Sequence, residues 1–305
     1  MQNLIECVPN FSEGRDSGKV REIVREIVAG PEVYELDVTM DADHNRSVIT
    51  FAASAASAGE AALRGIGRAA ELIDLNHHRG VHPRIGATDV VPLAPLGGSS
   101  LEDCVRIARW TAEEAWRRFR IPTYLYEAAA HRPERRNLAS VRRGQFEGLR
   151  AEVRDHPDRY PDFGEAQLHP TAGATAVGAR KLLIACNFNL DTADVEIARR
   201  IARHIRESSG GFACVKALGL LLERRRQAQV SINLTDYEVT PLRAVFEAAS
   251  VQANALGTKV LETEIVGLIP LAALEGTLPE YLKIRNFSGD LILEHRLAQA
   301  LKGAA

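Results

Sequence analysis

The sequence predicts an α+β protein built from two packed ferredoxin-like (βαββαβ) subdomains, residues 1–179 and 180–305, with a ligand tunnel or cleft between them. Three observations carry this. Strand-like and helix-like runs follow the order β-α-β-β-α-β twice along the 305 residues. Hydrophobic residues make up 46% of the chain, enough for two cores. A polar stretch rich in arginine and proline, 129–171, separates the halves.

In the first half, residues 3–8 form an apolar run that stops at Pro9 and reads as a strand. Val20, Ile23, Val24, Ile27 and Val28 recur at helical spacing, and Gly30-Pro31 ends that helix. Residues 33–38 and 47–52 read as strands joined by the polar turn MDADHNR. An alanine-rich helix follows over 55–75, its Gly59, Gly65 and Gly67 weakening it but allowing close packing on a sheet. Residues 88–93 read as a strand, which Pro92 places near an edge or end. Ser99 and Glu102 suggest a capping box for a helix running to about 118, and 122–127 reads as an added strand. Within the connection, 137–152 has helical character.

The second half repeats the order. Residues 181–187 are a strongly apolar strand and 193–206 an amphipathic helix. Strand-like runs follow at 214–222 and 229–234. Thr240 is expected to cap a helix with Pro241 at its first position, and 260–269 reads as the last strand.

Composition narrows the function classes. A net charge of −2 gives no global field for nucleic acid or an anionic membrane. Cys7, Cys104, Cys186 and Cys214 lie far apart and form no CxxC pair, which reads as free thiols in a reducing compartment. The N-terminal MQNLIECVPNF lacks the basic and apolar blocks of a leader, and no window approaches the length of a membrane span. A cytoplasmic protein is expected.

Four polar clusters sit at predicted strand ends. Asn10, Ser12, Glu13 and Arg15 follow the first strand, in a loop that a cap alone would explain. Asp43, His44, Asn45 and Arg46 occupy the hairpin, where Asp and Asn serve turn geometry but His44 and Arg46 are not demanded by it. The segment HRGVHPRIGATDVVPLAPL, 78–96, places His82 and Arg84 among glycines and a proline. Imidazole exchanges protons near neutral pH, so His82 is the candidate general acid/base, against the plainer reading of a polar turn. The fourth, HPTAGATAVGARK, brings small residues before Arg180; its glycines would let backbone amides approach a ligand, or it is a flexible connector.

Several chemistries find no support. His78 and His82 have metal-ligand spacing for a helix, but Gly80 and Pro83 argue against a helix there, and no HExxH accompanies them, so no metal is expected. No GxxxxGK[ST] loop, no GxGxxG after a strand and no GxSxG elbow is present.

The strings LIECVPNFSEGR, LDVTMDADHNRSVITF, HRGVHPRIGATDVVPLAPL, IPTYLYEAA, GARKLLIACNFNL, QVSINLTDYEVTPL and EIVGLIPLAAL run in register from about Leu4 to Leu274. On these the chain resembles the formiminotransferase family, the glutamate formimidoyltransferases of the stand-alone bacterial type. The resemblance implies two ferredoxin-like subdomains, a homodimer, and a tunnel that holds folate. It implies transfer of a formimino group between N-formimidoyl-L-glutamate and N5 of tetrahydrofolate, in histidine breakdown. The family's catalytic histidine matches His82. Its folate-binding segment falls on Gly164, Glu165, Ala166, Gln167, Leu168, His169, Pro170, Thr171, Ala172 and Gly173. Ala172 replaces an aromatic residue and Thr39 an acidic one found in animal members, and Asp41 and Asp43 lie nearby. Arg46, Arg84 and Arg180 are candidates for the carboxylates of the donor or the folate tail, since guanidinium pairs bidentately with them, and Asn10, Ser12, Asp43, His44 and Asn45 are further candidates for binding substrate. No cyclodeaminase segment is recognised, so that second activity is not expected.

Overall fold

The computed structural model describes residues 3–303; the first two positions of the stretch read for a leader lie outside them. The chain divides into two units, 1–180 and 181–305.

In order, the first unit holds β1 (Asn3–Cys7), β2 (Asn10–Phe11), α1 (Ser17–Ile27), β3 (Val33–Asp41), β4 (Arg46–Ser54), α2 (Ala58–Leu72), β5 (Thr88–Gly97), α3 (Leu101–Phe119), β6 (Thr123–Glu127), α4 (Leu138–Val141), α5 (Gln145–Glu152) and β7 (Thr175–Ala179). β1 and β2 are one line of chain interrupted at Val8–Pro9, since both run antiparallel between β4 and β5. With β3 antiparallel on the far side of β4, the order β5-β1-β4-β3 is that of a ferredoxin-like sheet. β7 and β6 extend it in parallel beyond β5.

Local sequence explains most of these elements. The Asp16 carboxylate accepts from the N–H groups of Gly18 and Lys19, capping α1, whose Val20, Ile23, Val24 and Ile27 are buried. They share one core with Ile5, Cys7, Phe51 and Leu93 from the sheet. Burying a side chain such as Ile23 is worth about 1.5–3 kcal/mol. Gly59, Gly65 and Gly67 do permit close approach, most tightly to helices: an added Cβ would meet Trp110 and Phe119 of α3 and Ile27 of α1, and at Gly65 also Phe11 of β2 in the sheet, at 3.4 Å.

Four local expectations need correction. Pro92 lies in an interior strand, flanked by β1 and β7. It is tolerated because it faces the interruption at Val8–Pro9, where its carbonyl still accepts from the Val8 N–H at 3.2 Å. The capping box is one residue later than expected, Ser100 with Asp103. The small residues before Arg180 are not a loose connector: 175–179 form β7, seated between β5 and β6. Helix over 137–152 is broken into α4 and α5, with Gly144 at φ +77 between them.

The second unit holds β8 (Ile184–Leu190), α6 (Val195–Ile205), β9 (Val215–Leu222), β10 (Gln227–Leu234), α7 (Leu242–Ala255), β11 (Val260–Val266) and α8 (Leu293–Gly303). Its sheet, β11-β8-β10-β9, is antiparallel throughout, again in ferredoxin-like order. Ile184, Cys186, Phe188 and Leu190 alternate toward Ile201, Ile205, Val245 and Phe246 of the helices. Asn187 and Asn189 take the opposite face, and Gln229 Nε2 donates to Asn189 Oδ1 at 2.9 Å. The expected Thr240 cap is not formed. Pro241 holds the cap position with extended backbone, and the Thr240 hydroxyl donates to the Ala213 carbonyl at 2.7 Å.

All four cysteines are free; Cys7, Cys104 and Cys186 are buried, whereas Cys214 is partly exposed. Among the described residues no helix is long and apolar enough to cross a membrane.

Candidate active site

The polar clusters of the first unit converge where β2 ends, the β3–β4 hairpin turns and the 78–87 loop enters β5. The Asp41 carboxylate accepts from the N–H groups of Asp43 and His44, both at 2.8 Å, which closes the hairpin as an Asx-type turn. Asn45 sits at φ +48 and ties three segments together. Its Oδ1 accepts from Gly14 N–H at 3.0 Å and its Nδ2 donates to the Arg79 carbonyl at 2.9 Å. The Ser12 hydroxyl donates to the Gly86 carbonyl at 2.7 Å. Asn45 and Ser12, both candidate ligand residues, therefore spend these groups on holding the loop.

The two loop histidines have opposite tautomers. Buried His78 donates from Nε2 to the Asn45 carbonyl at 2.9 Å and accepts at Nδ1 from Arg84 Nε at 3.1 Å. Burial holds it below the usual imidazole range, and the Arg84 charge adds to this. Arg84 also grips Glu147 of α5 through both Nη atoms, at 2.8 and 2.7 Å. Its fork is thus committed to α5 and its Nε to the loop, so it is not free to meet a substrate carboxylate.

His82 differs. Arg46 Nη1 lies 2.7 Å from its Nε2. A guanidinium can only donate, so Nε2 accepts and the ring proton sits on Nδ1. Burial, then the charge of Arg46, then that of Arg142, hold His82 well below the ordinary imidazole value, with His44 and His78 adding to it. The His44 and His82 ring centroids are 6.1 Å apart. Arg46 also approaches Asn10 Oδ1 at 3.4 Å. Burial and the Arg142 charge pull its own pKa down to about 10, against the pull of Asp41 and Asp89. A neutral base among guanidinium groups suits proton transfer beside anionic substrates.

Two independent sequence profiles decide the family. The profile of the Formiminotransferase domain, N-terminal subdomain, matches residues 4–180, and that of the Formiminotransferase domain matches 185–297. The chain belongs to the formiminotransferase family. It is 44% identical over 298 residues to a glutamate formimidoyltransferase of Streptococcus pyogenes, covering 97% of this chain and 99% of that protein. With a Thermoplasma acidophilum glutamate formimidoyltransferase it shares 43% over 300 residues, 98% of each chain. A mouse formimidoyltransferase-cyclodeaminase is 41% identical over 280 residues; the match takes in 90% of this chain but 51% of that one.

In this formiminotransferase the segment 164–173 ends in a tight hairpin, 169–173, set against the His82 loop. His169 and Gly173 exchange backbone hydrogen bonds at 2.9 and 3.1 Å. His169 Nδ1 accepts from Ala172 N–H at 3.0 Å. The Ala172 carbonyl accepts from Ala87 N–H at 2.9 Å, and Gly86 bridges Gly173. Gly173 has φ +70, and a Cβ there would lie 2.3 Å from the Ile85 carbonyl oxygen. Ala172 and Leu168 are both buried in the core, so neither offers a face to a ligand. Gly164, Glu165, Gln167 and Pro170 are exposed, and Ala166 and Thr171 partly so. Arg180 follows β7, its N–H donating to the Leu93 carbonyl at 3.0 Å, and its charge acts on Cys7 and Tyr126. Asp43 joins the site through its backbone carbonyl, which accepts from Val81 N–H at 3.4 Å.

Sequence reading missed Arg142 and Asp89. Arg142 leaves the end of α4 to pair with Asp89 on β5. Asp89 also accepts from Ile85 N–H at 2.9 Å, so the pair braces the loop of His82. Asp89 was visible in the conspicuous segment; nothing in RRNLASVRRG distinguishes Arg142 from its neighbours. Among the described residues no three His, Cys, Asp or Glu side chains gather as metal ligands would.

Proposed function

We propose that this chain transfers the formimino group of N-formimidoyl-L-glutamate to N5 of tetrahydrofolate, giving 5-formimidoyltetrahydrofolate and L-glutamate, with His82 as proton carrier. The observation that carries the reading is similarity to glutamate formimidoyltransferases over nearly the whole of both chains. In the reaction N5 attacks the formimino carbon, a C–N bond forms and the carbon becomes tetrahedral. The proton on N5 must leave, and the glutamate nitrogen must gain one before its bond to carbon breaks. A single imidazole serves both steps, neutral at attack and protonated at departure. Such acid–base help is worth roughly 10²–10⁴-fold.

The remaining assignments follow the same reading. Arg46 and Arg180 supply cations for the donor carboxylates and the folate tail, the 164–173 segment contributes to folate binding, and Asp43 stabilises the cationic formimino group. A cytoplasmic homodimer acting in histidine breakdown is the setting the family resemblance implies. The test is turnover: purified protein, tetrahydrofolate and N-formimidoyl-L-glutamate should yield L-glutamate, and N-formyl-L-glutamate and N-formimidoylglycine should serve poorly as donors. Faster turnover of either alternative would reassign the donor. Folate binding without turnover of any donor would make the chain a binding protein.

A further inference from the structure

Arg46 covers the atom that the proposed reaction needs. While its Nη1 donates to His82 Nε2 at 2.7 Å, the lone pair of Nε2 cannot take a proton from an attacking amine. Nδ1 already carries the ring proton. Arg46 itself is poorly held. Its other polar contact is a long 3.4 Å approach to Asn10, and its buried Nε has no hydrogen-bond partner. Among the described residues it forms no ion pair: the neighbouring Asp89 pairs with Arg142, and Asp41 Oδ1 accepts from two backbone N–H groups. A largely buried guanidinium without a carboxylate is costly, and an incoming carboxylate would relieve it.

We infer that Arg46 is an exchangeable cover on His82, and that the donor's α-carboxylate draws it off Nε2 and so uncovers the base. The inference rests on the transfer reading above. In N-formimidoyl-L-glutamate the α-carboxylate lies on the carbon that bears the reacting nitrogen. Seating it on the Arg46 fork therefore brings that nitrogen beside the uncovered Nε2. Binding and activation become one event, and a donor lacking this carboxylate leaves the base covered. The other groups that act on His82 are Arg142 from the end of α4, His44 from the hairpin and His78 from its own loop; Asp41 and Asp89 act on Arg46.

Two donors separate this from a structural role: N-formimidoyl-L-glutamate and N-formimidoyl-4-aminobutyrate, which differ by that one carboxylate. The wild-type protein should favour the first in kcat/KM by roughly 10- to 100-fold, the range of one charge-assisted contact. Arg46→Met should bring the two within a few-fold of each other and move the acid limb of kcat/KM to higher pH. Arg46→Lys, which keeps the charge but not the fork, should fall between. A preference that survives in a folded Arg46→Met, or an acid limb that stays in place, overturns the inference. Nitrogen-15 NMR of labelled histidine reads the cover without turnover. L-Glutamate should shift the His82 Nε2 signal, whereas 4-aminobutyrate should not. An Nε2 signal unmoved at saturating glutamate overturns the inference even if transfer is confirmed, and a wild-type protein inactive with both donors defeats the transfer reading itself.

Discussion

Asp89→Asn removes a charge and almost no volume from a residue 2% exposed. The amide oxygen can still accept from Ile85 N–H, as Oδ1 does now at 2.9 Å. What is lost is the counter-charge of Arg142, whose side chain is 15% exposed. Removing one member of a buried pair costs about 3–5 kcal/mol, because the other charge is stranded. The remaining solvent access of Arg142 places the loss near the lower end, about 3 kcal/mol. For a unit of about this size, 1 kcal/mol moves the midpoint by roughly 2–4 °C, so Tm should fall by about 6–12 °C. Thermal and urea unfolding followed by circular dichroism would measure it, beside Arg142→Met and the double variant. The double variant should recover most of the loss, since no charge is left without a partner. An Asp89→Asn protein within about 1 kcal/mol of wild type, or a double variant that loses the sum of the singles, would refute the reasoning.

Other outcomes follow from the same geometry. His82→Ala should lower kcat by roughly 10²–10⁴-fold with the folate dissociation constant within a few-fold, as equilibrium binding would show; equal loss of both would make His82 a binding residue. His82 is held below the ordinary imidazole value in the folded protein, so the unfolded chain binds the extra proton first. Its contribution to stability is therefore lost as pH falls below the unfolded value near 6.5, and Tm should fall less steeply over that range in His82→Ala than in wild type. Gly173→Ala combines φ +70 with a Cβ 2.3 Å from the Ile85 carbonyl oxygen, and should cost about 2 kcal/mol or more in urea unfolding. Arg84→Met should lower kcat/KM by loosening the 78–86 loop from α5, and a rate unchanged from wild type would show that its grip on Glu147 and His78 is dispensable.

The sequence by itself determined the two βαββαβ units, because their signals are local: apolar periodicity, turn residues between strands, and a break at each proline or glycine. It also marked His82 and the hairpin, since histidine and arginine beside glycine and proline are not needed for packing or turns. It did not reveal β7, whose TAVGA is too short and small to read as a strand until β5 and β6 pair with it on either side. Nor did it separate the candidate arginines. Only the tertiary structure commits Arg84 to Glu147, joins Arg142 to Asp89 and lays Arg46 on His82, because each depends on contacts between segments 36 to 63 positions apart. The same holds for the histidines: His78 and His82 read alike along the chain, and their opposite tautomers are set by partners that folding brings to each ring.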